Sequence, residues 1–159
     1  MLQTDLIIRQ YQPADQPVVW DLHVVCMRAI GAYIDDRSLE TDLHDIAGAY
    51  LNNQGDFLVG AVAGALVALG ALRPLTGTRG EIKRMRVHPT MQGRGYGRAV
   101  LLALEDRARA LGYATLELET SVVQTAALGM YRSHGFVEFK RGKIKHFNCI
   151  WFEKALLQD

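Results

Sequence analysis

Cysteine is nearly absent: Cys26 and Cys149 are the only two in 159 residues, with no CxxC spacing. That excludes a disulfide framework, and reduced thiols in a cytoplasmic protein are the expectation. Long apolar runs are missing too. The longest uncharged stretch, Phe57 to Leu72, is rich in Ala and Gly and falls short of the ~20 residues a membrane helix needs. It reads as a pair of buried strands, and no membrane partner is expected. Residues Met1 to Asp5 lack the basic, apolar and small-residue progression of a signal peptide. Charge of one sign is also lacking, since 18 Lys and Arg stand against 17 Asp and Glu. With a formal charge of +1, no global field draws the chain to nucleic acid or an anionic surface. The five histidines and two cysteines show no ligand-like spacing, so no metal is expected. Nor is there a repeat, a linker or a low-complexity tract. At 49% apolar and 22% charged, the chain reads as a single globular domain over residues 1–159.

What the sequence does have is concentrated between Glu81 and Gly97. A strand-like run ends at Pro89, a basic glycine loop follows, and an amphipathic helix begins at about Gly97. Such a loop aims several backbone N–H groups and the positive end of a helix dipole at one point, which makes an anion site. Gly93, Gly95 and Gly97 let the backbone approach a ligand closely, while Arg94 and Arg98 add charge. Two cations at a helix start oppose the dipole unless an anion offsets them. A phosphorylated cofactor is the expected ligand.

The remaining pattern sets the architecture. Strands are expected at residues 6–11, 57–62, 65–72, 81–88, 115–120, 136–140 and 147–152, with Ala63-Gly64 closing a hairpin. Helices are expected at 18–30, 43–51, 97–111 and 125–134. In the second, Leu43, Ile46, Ala47, Tyr50 and Leu51 share one face; in the third, Val100, Leu101, Leu104, Ala108 and Leu111 point inward. The strand–helix–strand run at 81–120 requires a right-handed crossover and a parallel pair, whereas the hairpin is antiparallel. The expected class is α/β with a mixed sheet.

These residues resemble the GNAT superfamily of acetyl-CoA-dependent N-acetyltransferases. Gln92, Gly95 and Gly97 match its glutamine/arginine-x-x-glycine-x-glycine loop, set between a strand and a long helix. Ala126, Leu128, Tyr131, Gly135 and Phe136 match its second signature, about 35 residues further on. The element order resembles the family fold along nearly the whole chain. The resemblance implies a mostly antiparallel central sheet with one parallel, splayed pair and helices on both faces. It implies acetyl-CoA as co-substrate, its pyrophosphate on the amides of residues 93–98, including those of Tyr96 and Arg98. The pantetheine arm would pair with the backbone near Met85 and Val87, and Gln124 stands where the family often has an asparagine contacting it.

The resemblance also implies chemistry. Tyr131 holds the position of a tyrosine beside the sulfur and is the expected general acid. Glu81, six residues before Val87, is the expected base, directly or through water; His88, His134, Glu117 and Glu119 are alternatives, as is water alone. A tyrosine packed on the sheet and an ion-paired strand-end glutamate are the structural readings of the same two residues. His23, Cys26, Met27 and Tyr33 border the region where relatives bind acceptors, and nothing nearby marks Cys26 as an activated acyl carrier. A Rossmann reading fails because the loop reads GxGxG, some ninety residues in, and a P-loop fails for want of GK[ST]. The expected acceptor is a small-molecule amine. A protein N-terminus or lysine, or a non-catalytic acyl-CoA sensor of the same fold, remains an alternative. A homodimer through the last strands or the apolar hairpin is compatible with the pattern.

Overall fold

The structure, a computed structural model, describes residues 5–156. Seven strands form one sheet: β1 (Ile7–Gln10), β2 (Asp56–Val62), β3 (Ala65–Thr76), β4 (Arg79–Val87), β5 (Thr115–Ser121), β6 (Val137–Ile144) and β7 (Phe147–Ala155). Their spatial order is β1-β2-β3-β4-β5-β7-β6, and every neighbouring pair is antiparallel except β4 with β5. Helix α1 (Gln16–Ala29) packs on one face; α2 (Tyr96–Ala110) and α3 (Thr125–Ser133) pack on the other. The mixed α/β class read from the sequence, and the splayed parallel pair implied by the resemblance, are what the chain forms.

Local chemistry explains most of the elements. Ala63 and Gly64 both take positive φ, as a two-residue hairpin turn between right-twisted strands requires. On α2, Val100, Leu101, Leu104 and Ala108 are fully buried, forming the stripe that covers the sheet. Leu111, expected on the same face, is 39% exposed because the helix ends at Ala110 and Gly112 turns the chain away at φ 90°. The expected helix at 43–51 is also corrected. A 3₁₀ turn (Thr41–His44) and a π turn (Ala47–Leu51) replace it. Ala49 N–H reaches Asp45 C=O with α spacing, but the Asp45 carboxylate accepts from Gly48 N–H and Asn52 N–H reaches back to Ala47 C=O, so the α pattern does not continue. Its apolar residues Leu43, Ile46 and Tyr50 are nevertheless buried against α1 and the sheet. The apolar hairpin β2–β3, suggested by the sequence as a dimer face, is covered within the chain by α1 and α2.

Two features of β4 position the site. Leu69 stands opposite Arg86 and Ala71 opposite Lys83, so Arg84 and Met85 together face the single residue Gly70. This is a bulge, and Arg84 carries it at φ 61°. Glycine stands opposite without crowding, whereas a Cβ at position 70 would lie 2.6 Å from Met85 Sδ and 2.8 Å from Leu104 Cδ1 and Val100 Cγ1. Second, β4 pairs with β5 only from Arg79↔Thr115 to Glu81↔Glu117. Beyond that point the strands part, and a cleft opens between them.

Candidate functional site

The splay gives a first cleft of about 520 Å³ running from Met85, Arg86 and Val87 along the glycine loop to α3. A 3₁₀ turn (Pro89–Met91), fixed by Thr90 N–H donating to the His88 ring, leads into that loop. Gly93 and Gly95 adopt φ 79° and 84°, which side chains rarely tolerate. None of the backbone N–H groups of residues 92–98 finds an acceptor among the described residues. A row of unsatisfied amides at the N-terminus of a fifteen-residue helix could hold a phosphate, and the donor set fits the pyrophosphate of a nucleotide cofactor. Arg98 lines this end, its Nε donating to His134 Nε2 at 3.0 Å. His134 Nδ1 lies 2.8 Å from Met130 C=O, which fixes the ring.

A second cleft, of about 350 Å³, opens on the side of the sheet toward α1. The two share Met85, Arg86, Gln124 and Tyr131. Tyr131 is buried, its ring edge-on to Phe136 at 5.8 Å, and its hydroxyl makes no hydrogen bond with a described residue. Burial pushes its phenol up to about 12, so it keeps its proton throughout the neutral range. Cys149, in the wall of the second cleft, is pushed up to about 11 by burial, with Glu119 adding to the shift. Burial raises Cys26 as well, and its Sγ donates to Val87 C=O. Neither thiol has the lowered pKa of an acyl carrier.

Of the residues singled out from sequence, Met85, Val87, Gln92, Gly93, Gly95, Tyr96, Gly97, Arg98 and Gln124 all line the first cleft. Arg94 does not; its side chain is exposed at the loop surface. Glu81 lines the second cleft with Oε1 held 2.8 Å from Arg73 Nε, and Glu119 lines the same wall. Glu117 is taken up by Arg79 at 3.0 Å. Met27 borders the second cleft, whereas His23 and Cys26 are packed beneath it. Sequence reasoning missed Lys83, Arg84 and Arg86. Plain alternation puts Lys83 on one face of β4 and Arg84 and Arg86 on the other, and the bulge at Arg84 and Met85 that changes this has no sequence signal. No helix among the described residues is long and apolar enough to cross a membrane.

A family model described as the acetyltransferase (GNAT) family matches residues 17–136. An IAA acetyltransferase of Azospirillum brasilense is 45% identical over 83 residues, covering 52% of this chain and 54% of that one. The chain spans about half the length of the curated relatives it matches. Among solved structures, a Staphylococcus aureus GNAT-family acetyltransferase superposes with a TM-score of 0.87 at 20% identity, covering 96% of this chain and 99% of that one. A Salmonella typhimurium protein solved with its cofactor acetyl-CoA gives 0.78 at 20% identity, over 98% and 96% of the two chains. At such identities the likeness is one of fold.

Proposed function

The chain belongs to the acetyltransferase (GNAT) family, and on that premise we propose that it moves the acetyl group of acetyl-CoA to a small primary amine by direct attack. The observation that carries this reading is the meeting of two clefts at Met85, Arg86, Gln124 and Tyr131, with the unsatisfied amides of residues 92–98 at the far end of one. The pyrophosphate rests on those amides and on Arg98. The pantetheine arm lies along the unpaired length of β4, which brings the thioester to the junction. The acceptor enters from the second cleft.

In the transfer, the neutral amine nitrogen bonds to the acetyl carbon. Backbone N–H groups of the bulged strand stabilise the carbonyl oxygen as it gains charge. The carbon–sulfur bond then breaks, the thiolate takes the Tyr131 phenol proton, and the surplus amine proton leaves to Glu81 or to water. Residues 5–156 form one unit for this purpose, because the cofactor and acceptor sides share the same strand. Exposed Val137 and Phe139 on edge strand β6 make the last strands the available face for a second copy.

The test is calorimetric titration of acetyl-CoA and CoA, followed by thiol release across an amine panel. Binding with release on one amine class is the expected result. Binding without release on any amine favours a sensor of the same fold, and no binding overturns the reading of the loop.

A further inference from the structure

The second cleft holds more positive charge than the transfer uses. Lys83, Arg84, Arg86 and Lys145 line it, against Glu40, Glu81 and Glu119. Most of these are already matched. Arg84 Nη1 lies 2.8 Å from Glu40 Oε2 and its Nη2 lies 2.7 Å from Asp42 Oδ1. Glu81 is held by Arg73. Buried His23 sits 3.3 Å from the other Glu40 oxygen, and burial pushes its pKa down, so it adds no charge near neutrality.

Lys145, at the exposed rim, is open to solvent, which leaves two cations in the wall itself. Neither Lys83 nor Arg86 forms a salt bridge with any described residue. Among the described residues, the one hydrogen bond of Arg86 runs from Nη1 to the carbonyl of its own neighbour, Met85, at 2.8 Å, and its Nε is buried without an acceptor. Burial lowers both pKa values, and the nearby arginines lower them further. A desolvated cation without a counter-charge is costly, and a ligand anion is the natural remedy.

Placement narrows the choice of anion. Arg86 stands at the junction itself, with Met85 and Tyr131, so an anion held there lies within a few bonds of the reacting amine. The cofactor phosphates belong to the far end, at residues 92–98. A polyamine would bring further positive charge against Lys83 and Arg86. Much of the remaining wall is apolar: Met27, Ile34, Leu39, Phe147 and Trp151.

We infer that the acceptor is an α-amino acid with an apolar side chain, its carboxylate held by Arg86 with Lys83 and its side chain against that apolar wall. This rests on the transferase reading above. The carboxylate keeps its charge while the amine becomes an amide, so the N-acetyl product retains the same anchor.

The experiment compares L-phenylalanine and L-methionine with their carboxamides in a thiol-release assay, using wild type, Arg86→Gln and Arg86→Lys. Wild type is expected to favour acid over amide in kcat/KM by about 10- to 100-fold, the worth of a charge-assisted hydrogen bond. That ratio should collapse toward one in Arg86→Gln and survive in part in Arg86→Lys. Equal use of acid and amide by wild type, or an unchanged ratio in Arg86→Gln, overturns the inference. Should the variants fail to fold in a thermal melt, the wild-type ratio decides alone.

A second arm titrates N-acetyl-L-phenylalanine calorimetrically into CoA-saturated protein. Binding by wild type, with loss in Arg86→Gln, upholds the anion site even if no amine is turned over, in which case only the transferase reading falls. Turnover of uncharged amines with no binding of the N-acetyl acid overturns the amino-acid assignment and leaves the transferase reading standing.

Discussion

The guanidinium of Arg84 grips the carboxylate of Asp42 at 2.7 and 3.0 Å, tying the bulge of β4 to a turn forty-two residues earlier in the chain. Tyr50 donates to the same carboxylate, and Glu40 takes the remaining arm of the guanidinium. The residue in the least favourable backbone conformation of β4 is therefore also the most heavily held. Burial alone would raise the Asp42 carboxyl, but hydrogen bonds and charge from Arg84 hold it down at about 2. A carboxylate depressed below its unfolded value stabilises the fold fully above pH ~4 and loses that contribution as pH falls toward 2.

Asp42→Asn should therefore lower stability at pH 7 by about 2–4 kcal/mol, since it leaves Arg84 partly unpaired in a buried setting. Urea unfolding at pH 7 and again near pH 2 checks it. The gap between variant and wild type is expected to shrink at the lower pH. A constant gap would mean that the ion pair is not its source.

Tyr131→Phe keeps the ring packing on Phe136 and removes only the phenol proton. Turnover should fall by about 100-fold with little change in acetyl-CoA affinity. Because burial holds the phenol at about 12, wild-type turnover should show no decline from phenol ionisation between pH 8 and 10. A fully active phenylalanine variant removes Tyr131 from the reaction.

Arg98 lines the first cleft and Arg94 does not. Charge reversal should separate them: Arg98→Glu is expected to weaken CoA binding by about 100-fold, and Arg94→Glu by only a few-fold through screened, longer-range attraction. Calorimetry on both variants decides. Equal losses would mean that the loop closes Arg94 onto the phosphates when the cofactor binds.

Glu81→Gln should flatten the alkaline rise of the rate with pH if this carboxylate accepts the amine proton. Its engagement by Arg73 at 2.8 Å is also consistent with a purely structural role. Turnover measured from pH 6 to 10 distinguishes the two, because an unaltered profile leaves water as the acceptor.

Gly70→Ala introduces a Cβ 2.6 Å from Met85 Sδ and 2.8 Å from Leu104 Cδ1 and Val100 Cγ1. The flexible methionine can move, but the two core side chains resist, so a loss of about 1–3 kcal/mol is expected. Shifting Met85 also disturbs the junction, and acetyl-CoA affinity should fall along with the melting temperature. Destabilisation with unaltered affinity would show that the bulge tolerates the push.

Much of the fold and one half of the site were legible before any coordinates. Helix α2 and strand β5 announce themselves by period, and the hairpin by Ala63-Gly64, because each depends on neighbours in sequence. The same holds for the glycine loop, whose backbone conformation is set by Gly93 and Gly95 themselves. The helix expected at 43–51 failed for a local reason as well: its apolar spacing was right, but the Asp45 side chain competes for the helix's own N–H groups.

Composition and spacing thus determined a mixed sheet and a glycine loop ahead of α2, and the family resemblance pointed to Tyr131. Tertiary structure alone decided the rest. The register of β3 against β4 puts two residues opposite Gly70, and that bulge turns Arg84 toward Asp42 while leaving Arg86 at the junction without a carboxylate partner among the described residues. Charge matching between residues forty or more positions apart has no local signature, because it depends on which strands come together and where one of them takes an extra residue.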